Sequence, residues 1–265
     1  MKRVVGLLPL LLLDPVAMGA DPRPNFLIIM ADQQSPHVLH HAGDQIVRTP
    51  NLDRMAAGGV RFSAAYCGSP LCVPSRMTFL TARHCSDIEV WSNGCVLSSE
   101  VPTFPAALAA AGYETVLAGR MHFSGPDQRH GFSRRTIGDV GQPRVKGKGK
   151  HPLLGSIPRE TTGQSKGAVE TAGPGRTAYM AYDDAVTESA CSFLAEWDRQ
   201  PVGKPLALVV GYVLPHCPYI CPRDLFDYYH GRVSVPMMPP GHSDRMHPAE
   251  REDRERRGFN DLTED

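Results

Sequence analysis

Apolar and polar positions along the chain fall into two rhythms. Asn25–Met30 (NFLIIM), Tyr113–Ala118 and Leu206–Leu214 are continuous or nearly continuous apolar runs. That is the pattern of strands covered on both faces, as in a parallel sheet lying between helices. The stretches between them carry helical signals. Thr49-Pro50 opens one helix through Ala57, since threonine caps and proline suits a first turn, and Gly58-Gly59 stops it. Ser75–Thr81 reads as a second helix and Pro102–Ala111, alanine-rich and closed by Gly112, as a third. Asp183–Trp197 places Val186, Ala190, Phe193, Leu194 and Trp197 on one stripe and reads as a fourth. Val60–Tyr66 reads as a further short strand. Strands alternating with helices predict an α/β fold, a mostly parallel sheet sandwiched by helices.

Three segments break this rhythm. Met1-Lys2-Arg3, the leucine-dominated run Val4–Leu13 and the small residues Ala17, Gly19 and Ala20 read as an export signal over residues 1–20. The run is about half of the roughly 20 residues that span a bilayer, so the expectation is export to a periplasm or the medium with no stable membrane anchor. Residues 139–177, with Arg144, Lys146, Lys148 and Lys150 among many glycines, read as a long polar insertion, either a solvated loop or a holder of an anionic substrate. Residues 241–265, dense in both signs of charge, read as a solvated helix or frayed tail.

Composition narrows the partners. The 28 basic and 28 acidic side chains leave a formal net charge of zero. No global field gathers nucleic acid or an anionic membrane, and none is expected as a partner. Hydrophobic residues at 42% and charged residues at 21% exclude a mostly disordered chain. The seven cysteines are Cys67, Cys72, Cys85, Cys95, Cys191, Cys217 and Cys221. No C-x2-C zinc pair occurs, and their odd number leaves one thiol without a partner or one cysteine with another task.

Asp32 follows the first apolar run, at the carboxyl edge where open α/β sheets place ligands. The chemistry concentrates in Ser69-Pro-Leu-Cys72-Val-Pro74-Ser75-Arg76-Met-Thr-Phe-Leu80-Thr81-Ala82-Arg83. A cysteine here precedes a helix start, whose free N–H groups favour anions, and an arginine adds fixed positive charge. Read alone, such a thiolate would be activated, and a cysteine protease is one reading.

The order Cys72, Pro74, Ser75, Arg76, then Leu80-Thr81 and Arg83, resembles the signature of the type I sulfatases of the alkaline-phosphatase-like superfamily. In that family a separate formylglycine-generating maturation enzyme oxidises the motif cysteine to an aldehyde. Ala82 stands where the family's glycine is usual. Gly119-Arg120-Met121-His122 resembles the family's G-K-x-H element with arginine for lysine. Followed by Gly125-Pro126-Asp127-Gln128 and His130-Gly131-Phe132, it is most similar to the choline-sulfatase-like branch. Pro215-His216-Cys217-Pro218 resembles the H-x-P element. Asp32-Gln33 stands in the place of the first metal-binding pair, and Asn93 in that of an asparagine beside the bound oxyanion. The resemblance covers roughly residues 25–235.

The resemblance implies a sulfuric ester hydrolase. A calcium ion, or magnesium, would be held in part by Asp32, Gln33 and modified residue 72. Arg76 and Arg120 would neutralise and orient the hydrated aldehyde and the sulfate. One aldehyde-hydrate hydroxyl would attack sulfur, and the other would lose its proton to His122 and eject sulfate. His216 would contact the sulfate and protonate the leaving oxygen. Choline, sugar and aryl sulfates all share that chemistry, and phosphodiester or phosphonate hydrolysis is the alternative on the same scaffold. The family also draws a second metal-ligand pair, a lysine and a smaller C-terminal domain from beyond the H-x-P element. No Asp-His-Gly or Asp-Asn-Gly follows His216 here. Residues 21–240 therefore read as the N-terminal part of a sulfatase catalytic domain whose C-terminal part is missing, with an inactive anion-binding chain as the other alternative.

Overall fold

The computed structural model describes residues 23–140, 166–199, 203–234, 237 and 239–261. The expected export signal and the lysines and arginine of the polar insertion, Arg144, Lys146, Lys148 and Lys150, lie outside the described residues. In chain order the elements are β1 (Phe26–Met30), α1 (Pro50–Gly58), α2 (Cys72–Thr81), α3 (Phe104–Ala110), β2 (Glu114–Gly119) and β3 (Arg134–Ile137). They continue with α4 (Lys166–Glu170), β4 (Gly173–Pro174), α5 (Ala178–Arg199), β5 (Leu206–Gly211), β6 (Ile220–Cys221), α6 (Arg223–Tyr229), α7 (His242–Arg245) and α8 (Pro248–Arg256).

β1, β5, β2 and β3 form one parallel sheet in that order, and β4 and β6 form a short parallel pair. The strand period of two assigns side chains to opposite faces. Val116 and Ala118 of β2, with Leu206, Leu208 and Val210 of β5, pack on the Tyr182, Val186, Ala190 and Phe193 stripe of α5. Leu117 and Val209 face the other way, onto Val73, Met77 and Leu80 of α2. Each fully buried aliphatic side chain contributes about 1.5–3 kcal/mol, so two such layers are what hold the sheet between its helices.

Several expectations change. The run 25–30 does form a strand, but β1 is an edge strand, and Leu27 and Ile29 are 54% and 56% exposed. Among the described residues no strand pairs with its outer side. Val60–Tyr66 is not a strand: it has no pairing partner among the described residues, and Phe62 and Tyr66 are 80% and 93% exposed. The polar insertion does not begin at 139, because Asp139 and Val140 are buried, and its later part folds into α4 and β4. For residues 241–261 the solvated-helix alternative holds: they form α7, α8, which buries no residue, and a closing 3-10 turn at Phe259–Asp261. α8 has Pro248 in its first turn and the His247 ring accepting from the Ala249 N–H at 3.2 Å.

Candidate active site

The carboxyl ends of β1, β2 and β5 converge on one edge of the sheet. The Arg120 N–H donates to the Gly211 carbonyl at 2.8 Å, that of Tyr212 to Met30 at 2.9 Å and that of Asp32 to Leu214 at 3.2 Å. This approach needs bare backbone. A Cβ on Gly211 would lie 1.8 Å from the Arg120 carbonyl oxygen, and one on Gly119 would lie 2.3 Å from the Gly211 oxygen. Gly119 also has φ +88°.

α2 brings Cys72 to this edge on its first residue. Leu71, the N-cap, offers no side-chain acceptor. Asn93 supplies it, its Oδ1 accepting from the Val73 N–H at 2.9 Å. Asn93, expected beside a bound oxyanion, thus also caps the cysteine's helix.

Three charged side chains then surround Cys72. Arg76, one turn along α2, is buried and donates to the Asp32 Oδ2 at 3.0 Å, the Arg120 carbonyl at 2.9 Å and the Tyr212 carbonyl at 3.3 Å. Arg120 Nε approaches the same Asp32 oxygen at 3.4 Å. Burial pushes the Asp32 carboxyl up, and Arg120 and Arg76 together outweigh it and hold it below the usual carboxylate range. For the Cys72 thiol, burial again acts upward; a hydrogen bond with His122 and the Arg120 charge overcome it and the Asp32 charge, leaving the thiol below its ordinary value. Cys72 Sγ lies 3.8 Å from Asp32 Oδ1.

The two histidines are set in opposite tautomers. Arg120 donates toward His122 Nδ1 at 3.1 Å. A guanidinium only donates, so Nδ1 accepts and the neutral ring carries its proton on Nε2. His216 Nδ1 instead faces the Cys217 carbonyl at 2.7 Å, which only accepts, so the proton sits on Nδ1. The Cys217 sulfur and carbonyl raise the His216 pKa above its ordinary value against the effect of burial.

Asp32, Gln33, Cys72, Arg76, Asn93 and His216 line one cleft of about 740 Å³, while Arg120 and His122 stand behind it against Asp32 and Cys72. The structure thus brings every expected site residue to one place. It leaves Asp127 and Gln128 in a turn, where Asp127 accepts from the Arg129 and His130 N–H groups at 2.9 and 3.0 Å. Three residues near the centre carried no sequence signal. Arg257, from the supposed tail, lines the cleft. Tyr179 meets the His216 ring edge-on at 6.2 Å. Asp139 holds the backbone of residues 121 and 122.

Among the described residues Asp32, Cys72 and His216 form the group able to hold a metal ion, their ligand atoms lying within 4.8 Å of one another. The ionised carboxylate and the neighbouring Gln33 amide suit a hard cation in charge and donor type. They are too few to complete the six to eight oxygens of a calcium shell.

A phosphonate monoester hydrolase of Agrobacterium radiobacter shares the fold, with a TM-score of 0.61 and 22% identity over 81% of this chain and 45% of that one. The shared fold and the parallel sheet between helices define an α/β protein with its site at the carboxyl edge of the sheet. The Sulfatase family model matches residues 24–235, and the chain belongs to that family. A choline-sulfatase of Rhizobium meliloti (strain 1021) is 33% identical over 221 residues, covering 78% of this chain and 41% of the relative. An N-acetylglucosamine-6-O-sulfatase of Bacteroides thetaiotaomicron is 28% identical over 85% of this chain and 40% of its own length. The chain thus spans about two fifths of the curated relatives it matches.

Proposed function

We propose that the chain carries the nucleophile half of an exported sulfate monoester hydrolase, with residue 72 as nucleophile after oxidation to formylglycine and a divalent cation, calcium or magnesium, bound beside it. One observation carries this reading: a helix-start cysteine shares a cleft with a buried carboxylate and lies against two buried guanidiniums and two histidines. A sulfate ester repels nucleophiles until its charge is neutralised, and Arg76 and Arg120 are fixed cations at the place where that charge would lie. The aldehyde would supply a nucleophile able to release sulfate again, and the cation would be held by Asp32, Gln33 and residue 72 and neutralise sulfate oxygens.

The histidine tautomers divide the proton work. His122, with its proton on Nε2, is a donor toward residue 72; acting as a base there requires the tautomer that Arg120 opposes. His216, with its neutral proton on Nδ1, can deliver a proton from Nε2 to the leaving oxygen only as the imidazolium, the form that its raised pKa favours. Choline sulfate and N-acetylglucosamine-6-sulfate are the first substrates to test, since they match the names of the two relatives. Export is supported by the residue 1–20 pattern, and no helix among the described residues is long and apolar enough to cross a membrane.

Coexpression with a formylglycine-generating enzyme tests the reading. The tryptic peptide Phe62–Arg76 is expected to carry the aldehyde at residue 72, and sulfate release is expected to vanish in Cys72→Ala. An intact thiol as the sole species in that peptide removes the nucleophile assignment.

A further inference from the structure

We infer that Asp139 is a positioning residue, holding His122 and Arg120 against Cys72 through its carboxylate. The inference rests on the reading of those three side chains as the reacting centre. Asp139 lies two residues past the end of β3 and is only 9% exposed. Its Oδ2 accepts from two consecutive backbone groups, the Met121 N–H at 3.1 Å and the His122 N–H. His122 itself has φ +60°, in the left-handed region that few non-glycine residues occupy, although histidine does so more often than most. A conformation of that kind persists where its surroundings enforce it, and two converging hydrogen bonds to one buried oxygen do so here.

The same carboxylate acts on Arg120 from behind. Burial works against the Arg120 charge, and Asp139, followed by Asp32, more than restores it. The two acids lie on different parts of the fold: Asp32 lines the cleft with its Oδ2 3.4 Å from Arg120 Nε, and Asp139 holds the backbone that directly follows Arg120. Arg135 ties the turn further, donating to the Gly119 carbonyl at 3.1 Å. Asp139 Oδ1 is buried and makes no hydrogen bond among the described residues. Asp139 reaches neither the cleft nor Cys72, so its effect must pass through His122 and Arg120.

The test reads iodoacetamide alkylation of each cysteine at one pH, by peptide mass spectrometry, in the full chain with residue 72 unmodified. Asp139→Ala is expected to slow Cys72 about fivefold, because its activating hydrogen bond from His122 is displaced. The exposed Cys67 and Cys191 are the internal controls and should stay within about twofold. Asp139→Asn, keeping an acceptor and losing the charge, should slow Cys72 by about twofold. In a His122→Ala background Asp139→Ala should slow Cys72 by clearly less than fivefold, since the part acting through His122 is already lost and only the route through Arg120 remains. An unchanged Cys72 rate in Asp139→Ala, or full slowing in the His122→Ala background, overturns the inference. Should Asp139→Ala speed all cysteines together, its fold has opened and Asp139→Asn decides: selective slowing of Cys72 supports the inference, and an unsubstituted rate overturns it. No sulfate ester enters the measurement. A chain that behaves as expected yet hydrolyses none keeps this inference and loses the functional reading.

Discussion

Arg76 shows how one side chain can be both motif and structure. Its guanidinium spends its donors on a carboxylate and two main-chain carbonyls that belong to the ends of three different segments. Removing one member of a buried charge group strands the others, so Arg76→Met should cost about 3–5 kcal/mol in urea denaturation of the full chain. The pH dependence follows from Asp32, whose folded pKa lies below its ordinary 3.8. The unfolded chain therefore binds the extra proton first. The contribution is fully present above that ordinary value and is lost as pH falls through the lower folded value. Urea midpoints between pH 2 and 6 should show an acid limb that flattens in Asp32→Asn. The residues of this group were legible because a fixed spacing carries them: Cys72, Arg76, His122 and His216 sit in short motifs. Asp139 was not, because its partners are backbone N–H groups 17 and 18 residues away, which leave no side-chain pattern in the sequence.

Elements enter the site through their ends, and the most demanding meeting is that of β2 with β5. Gly119 pairs with Gly211 in the sheet register, and the two strands then part around the Arg120 peptide. Because a Cβ at Gly211 would overlap the Arg120 carbonyl oxygen, Gly211→Ala should destabilise by at least about 2 kcal/mol and displace Arg120. A lowered thermal midpoint together with slower Cys72 alkylation relative to the exposed Cys191 would register both effects. α2 offers a milder case. Its first turn is capped from outside by Asn93, so Asn93→Ala should cost about 0.5–2 kcal/mol in the same melts. Element existence was legible wherever an apolar run met a clear stop, as at α1 with its diglycine and at β2 and β5. It was not legible for Val60–Tyr66. β-branched and aromatic residues gave that stretch strand character, but a strand also requires a neighbour, and no described strand reaches it.

At the scale of the whole molecule the two faces of the sheet differ less than its two edges. Both faces are layered by helices, whereas the outer side of β1 meets no described strand and Phe26, Leu27 and Ile29 are exposed there. The sequence reading of β1 as covered on both faces was a reading of what those side chains favour, and the fold leaves that preference unmet. Parallel strands are seldom stable when uncovered, because each unpaired N–H and C=O row is a template for another chain. Val60, Phe62 and Tyr66 add further apolar area on a loop. Such surface has few ways to leave water except association. The chain in solution should therefore bind a dye such as ANS and show a weight-average mass that rises with concentration in sedimentation equilibrium. Leu27→Lys places a charge on the open strand without touching the buried layers, and it should lower the association constant while leaving Cys72 alkylation unchanged. If Leu27→Lys associates as strongly as the unsubstituted chain, the β1 edge is not the surface that drives it.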